Sequence, residues 1–125
     1  MNISRNFILV GTLFLVVGIS IGMYMGGSGK HELAPLHAHI NLLGFTLMAV
    51  FGLIYHAFPN MAASGLARVH FWLHTVSALV LLIMLALLFT GRIAEEAMAP
   101  LAPLAEVGIM LGILTFLWNV WQNAK

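Results

Sequence analysis

The chain has 125 residues, of which 62% are hydrophobic and 7% charged, with a formal net charge of +1. A soluble domain carries about 25% charged residues, so this chain cannot cover a water-facing surface and reads as an integral membrane protein. The near-neutral balance excludes a nucleic-acid partner. The absence of cysteine excludes disulfides, thiolate haem ligation, covalent c-type haem attachment and cysteine-ligated iron–sulfur clusters. Any metal must be held by His, Met, Asn or carboxylate.

Four apolar runs are long enough to cross a bilayer, which takes roughly 20 helical residues. They cover about 6–25, 36–58, 69–90 and 104–121. The first is longer than a signal-peptide core, and no convincing cleavage site follows it, so it reads as an uncleaved span. Turn residues mark the joints: Gly26-Gly27-Ser28-Gly29, Pro59-Asn60, Gly91-Arg92, then Pro100 and Pro103. Short joints make neighbouring helices antiparallel, so the expected fold is all-α, one four-helix transmembrane domain over 1–125. Positive residues set the orientation. Arg5, Arg68 and Lys125 fall on one side and Lys30 and Arg92 on the other, which favours N-in and C-in.

Glycines in the first span form a stripe: Gly11, then Gly18, Gly22 and Gly26 at every fourth position. Gly108 and Gly112 repeat the spacing in the last. Small residues at this period let helix backbones approach closely. The first expectation is packing within the bundle; the second is a subunit interface.

The head of the second run reads Pro35-Leu-His-Ala-His-Ile-Asn-Leu-Leu-Gly-Phe. Ionisable groups inside a span are costly and mark functional sites, and neutral imidazole is the commonest metal ligand. His37 and His39 are two residues apart, and each helical residue turns about 100°. They therefore face nearly opposite sides and serve different pockets rather than chelating one ion. Asn41 lies behind them. His70 and His74 stand at i, i+4 and share one face. That spacing suits a transition metal or a proton relay, with His56 close by at the end of the second span. The competing expectation puts His56, His70 and His74 at the inner membrane surface, where they and Trp72 act as interfacial anchors. His31 falls in the glycine-rich joint, and Glu106 snorkels at the outer end of the last span.

His37-Ala-His39, the apolar helix through Gly52 and Tyr55, and the Phe58-Pro59 that closes it resemble the tenth helix of haem-copper oxidase subunit I. Arg68-Val-His70-Phe-Trp-Leu resembles the start of that family's next helix, and Leu117-Trp-Asn-Val-Trp121 resembles the end of its last. The likeness runs over about 35–121, in order and in spacing. The chain also resembles small stand-alone bacterial proteins of oxidase-like sequence. The resemblance implies a bacterial inner-membrane protein in which His37 and His39 are axial ligands of b-type haem. Subunit I has twelve helices in three arcs of four, so one chain corresponds to one arc and a homotrimer would rebuild the ring. The family's copper-site His-His pair and its His–Tyr motif have no counterpart here, so enzyme activity is left open.

The resulting expectation is a haem protein that transfers electrons to a redox partner or binds a diatomic gas such as O2 or NO. An alternative is copper or haem handling through His37, His39, His56, His70 and His74. A third is a structural partner of a larger oxidase, held by the glycine stripe.

Overall fold

The computed structural model describes all residues, Met1–Lys125. It is entirely helical, and four helices are long and apolar enough to cross a membrane. They are α1 (Ile3–Ser28), α2 (Ala34–Ala57), α4 (Gly65–Phe89) and α5 (Leu101–Asn123). A short helix α3 (Pro59–Ala63) joins α2 to α4, and a 3-10 turn, Glu95–Met98, precedes α5.

Each helix starts two to four residues before its apolar stretch, and in α1 and α4 a side-chain cap marks the start. Asn2 accepts the Arg5 amide at 3.0 Å and starts α1 three residues early. Gly29, at φ 70°, ends it by returning its N–H to the Met25 carbonyl. Ser64 accepts the Ala67 amide at 3.3 Å and starts α4 at Gly65. Pro35 sits in the first turn of α2, where its missing N–H is no loss. Within the spans, hydroxyls turn back to the preceding turn: Thr12 to Ile8 O, Ser20 to Val16 O, Thr115 to Leu111 O, all within 2.8 Å. Lipid offers no partner, so these hydroxyls are satisfied within their own helices.

α2 is not a uniform helix. Ala34–His39 is α, Ile40–Thr46 is a π turn, and Leu47–Ala57 is α again. The wide turn is marked by the Leu47 amide bonding Leu42 O and by Thr46 Oγ1 donating to Asn41 O at 3.0 Å. Such turns recur at functional sites.

α1 packs along α2, α2 also touches α4, and α5 leans mainly on α4. The largest apolar cluster gathers Phe7, Met48, Phe51, Tyr55, Met61 and Phe71 at the α3 end of the bundle. A smaller one, Leu36, Ile40 and Leu82, lies at the other end. The outward faces of α1 and α5 stay exposed, with Leu13, Val16, Leu114 and Trp118 among them.

The glycine stripe resolves in favour of internal packing. A Cβ on Gly11 would lie 3.1 Å from Met48 Cβ, one on Gly18 would strike the Asn41 side chain, and one on Gly22 would lie 2.9 Å from His37 Cε1. From the other side, Gly44 of α2 admits Phe14 of α1. Gly108 and Gly112 face Ser77 and the His70–His74 turn of α4. Of the stripe, Gly26 alone, past the end of the seam, looks onto open space.

That difference gives a test. Gly18→Leu should destabilise the fold by about 1–3 kcal/mol, the usual cost of overpacking, read as a lower thermal midpoint in detergent. Gly26→Leu should leave the midpoint unchanged. Equal losses at the two positions would mean that the stripe does not work through the α1–α2 seam.

Candidate functional site

Two polar clusters lie inside the bundle. The first is built on the opening turns of α2. His37 is half-buried and turned toward α1; its Nδ1–H donates to the Gly18 carbonyl at 2.7 Å. That carbonyl is reachable only because neither Gly18 nor Gly22 carries a side chain. The Asn41 amide donates to His37 Nε2 at 3.2 Å, one turn further on. Asn41 Oδ1 is buried without a partner.

His39 lies on the other side of the helix and is exposed. Its Nδ1–H donates to the Pro35 carbonyl at 2.7 Å. Both imidazoles therefore hold their Nδ1 protons on backbone carbonyls; the Nε2 lone pair of His39 is free, and that of His37 accepts from Asn41. A metal-bound histidine is oriented in this way, by a carbonyl or carboxylate on its second nitrogen. The opposite-face geometry expected for His37 and His39 is present: one faces α1 and the other faces outward. None of the cavities and grooves on the chain is lined by either residue.

The second cluster is the buried one. His70 and His74 are fully buried on α4, with ring centroids 6.0 Å apart. Tyr55 of α2 is buried beside them, its hydroxyl 3.0 Å from His70 Nδ1. Asn119 of α5, also buried, donates to the Met61 carbonyl at 3.1 Å and approaches the Tyr55 hydroxyl at 3.5 Å. Its Oδ1 accepts from Ser64 and Asn123 at 3.0 and 2.9 Å. His74 Nε2–H donates to the Leu43 carbonyl, in the π turn, at 3.1 Å. His70 Nε2 and His74 Nδ1 have no partner. Phe7, Phe51 and Phe116 close around His70 at centroid distances of 5.0, 4.5 and 5.1 Å.

His70 and His74 face into the bundle, not outward as interfacial anchors would. With α4 starting at Gly65, His74 lies nine residues into the helix, about 14 Å along its axis. The Ser64 cap adds a turn that the apolar run does not reveal. His56 is exposed at the end of α2 and does not join the pair. His31 is exposed in the joint, bonded to Gly29 O at 3.0 Å, and Glu106 is exposed on α5. Nowhere in one chain do three His, Asp or Glu side chains converge as a metal site.

Tyr55 and Asn119 enter the sequence reading only through the family likeness, not as site residues. Their signal is present: each is a polar residue inside an apolar span.

Tyr55→Phe keeps the ring and removes the hydroxyl that His70 and Asn119 share. The expected loss is about 1 kcal/mol, typical of an interhelical hydrogen bond in a membrane, seen as a lower unfolding midpoint in detergent. A midpoint equal to that of the wild type would show that the hydroxyl bonds contribute nothing.

Comparison with protein-family models, with curated proteins and with solved structures finds no match for this chain.

Proposed function

We propose that the chain is a haem-binding membrane protein related to haem-copper oxidase subunit I, with His37 and His39 as axial ligands of b-type haem. The observation that carries this reading is the matched pair of 2.7 Å bonds that fix both Nδ1 protons on carbonyls. The donor set fits a haem iron. His39 offers its Nε2 directly, on an exposed face. His37 offers its own when the Asn41 amide turns aside. Haem iron with two imidazole ligands supplies one-electron transfer; with one ligand it supplies gas binding.

The chain's own residues do the positioning. Pro35 and Gly18 carbonyls fix the tautomers and the ring orientations. The glycine seam sets the depth of His37 between α1 and α2. Asn41 occupies the Nε2 of His37 in the chain alone and would release it to the iron.

His39 points away from its own bundle, and no cavity of the chain lies beside it. A haem at His39 therefore needs a second wall, and a neighbouring copy supplies one. That favours an assembly; the likeness of one chain to one four-helix arc makes it a homotrimer, and the same likeness with the charge bias puts it in the bacterial inner membrane, N-in and C-in. Closed cyclic symmetry is the usual end state of such assemblies. The function is electron transfer with a redox partner, or O2 or NO binding.

The test is an absorption spectrum of the detergent-purified protein, oxidised and dithionite-reduced, with haem quantified per chain. An intense Soret band with sharp reduced α and β bands is expected. His39→Ala should abolish it, and His37→Ala should change or abolish it. A preparation that stays colourless after haem supplementation overturns the reading.

A further inference from the structure

The buried pair on α4 is not used by the haem reading, and its two unpartnered nitrogens call for an occupant. Buried polar atoms in native proteins are almost always hydrogen-bonded. Here His70 Nε2 and His74 Nδ1 are both buried and both without a partner. On His74 the lone pair is fixed at Nδ1, because Nε2–H is committed to the Leu43 carbonyl. On His70, the tautomer that donates Nδ1–H to the Tyr55 oxygen leaves the Nε2 lone pair free.

The spacing fits one shared ion. Nitrogens each about 2 Å from a common metal, in line, place two imidazole centroids roughly 6 Å apart. The observed separation is 6.0 Å. Charge and ligand count then select the ion. All four acidic residues, Glu32, Glu95, Glu96 and Glu106, are exposed and outside the cluster. No third His, Asp or Glu joins the pair. A divalent zinc ion wants about four ligands and would bring two uncompensated charges into an apolar site. A monovalent, soft d10 ion is content with two imidazoles in line. The rings of Phe7 and Phe51 also stand around both histidines, at 5.0 and 4.5 Å from His70 and 6.4 and 5.4 Å from His74. These apolar rings offer no compensation for a second charge.

We propose that His70 and His74 together hold one Cu(I) ion, through Nε2 of His70 and Nδ1 of His74. The Leu43 carbonyl and the Tyr55 hydroxyl orient the two rings as outer-shell partners, and the phenylalanines keep the site dry. The site does not depend on His37, His39 or haem.

The experiment is anaerobic titration of the detergent-purified full chain with Cu(I) against a chromogenic Cu(I) chelator, followed by X-ray absorption of the loaded protein. Expected are one Cu(I) per chain and two nitrogen scatterers at the metal. His70→Gln and His74→Gln should each weaken retention by about 100-fold or more, at or beyond the upper end of outer-shell effects on metal affinity. The double variant His37→Ala/His39→Ala should leave retention unchanged, whether or not it removes a Soret band. Failure of the wild-type chain to hold Cu(I) against the chelator overturns the proposal and leaves the pair bridged by an internal water. Retention unaffected by His70→Gln and His74→Gln, or lost only with His37 and His39, overturns it equally. The scatterer count uses wild-type protein and so stands even where a variant fails to fold.

Discussion

Close approach of α1 and α2 is the constraint on which the rest of the structure depends. The two helices touch along Gly11, Gly18 and Gly22 on one side and Gly44 on the other, with Phe14, Asn41 and His37 filling the gaps. Without that closeness the His37 ring has no backbone carbonyl to meet. A helix carbonyl already bonded within its helix retains a second lone pair, so Gly18 O serves both its own ladder and the imidazole. The glycines thus do two things with one geometry: they remove bulk, and they expose an acceptor at a depth where lipid provides none.

The π turn of α2 ties the two polar clusters together. Asn41 and Leu43 are two residues apart in it. Asn41 reaches back to His37, and the Leu43 carbonyl takes the proton of His74 from α4. Widening a helix turn weakens its ladder, and the lost regularity is compensated by side chains that enter it. Here those side chains come from Thr46 in the same helix and His74 in the next. One imidazole of each cluster, His37 and His74, is therefore in contact with one seven-residue segment. Any movement that straightens this segment would disturb both clusters at once.

The number, order and approximate extent of the spans were legible because hydropathy and turn residues act locally. Opposite facing of His37 and His39 was legible for the same reason: it follows from helical pitch alone. The depth of His70 and His74 was not legible. It depends on where α4 starts, and that is set by the Ser64 cap, a hydrogen bond between residues outside the apolar run. The π turn was hidden too, since nothing in Ile40–Thr46 breaks the local pattern and the turn is held by tertiary contacts. The Tyr55–Asn119 bond joins residues 64 positions apart, beyond the reach of any local rule.

One chain leaves an exposed imidazole of α2 with its Nε2 unpaired. His39 has spent its Nδ1–H on Pro35 and presents Nε2 on an exposed face of a membrane span. A nitrogen in that position is stable only near headgroup water or against another partner, because hydrocarbon supplies no hydrogen bond. α1 and α5 also bury little of themselves: only 17% of an 18-residue apolar stretch of each is buried, against 33% and 39% for α2 and α4. Lipid can cover such faces, but association of membrane helices draws on packing and on polar contacts rather than on hydrophobicity. An outward imidazole beside bare apolar helices offers both kinds of contact. The polar group that one bundle leaves over is the group a neighbouring bundle or a bound cofactor would take up, and its place on α2 decides where that contact forms.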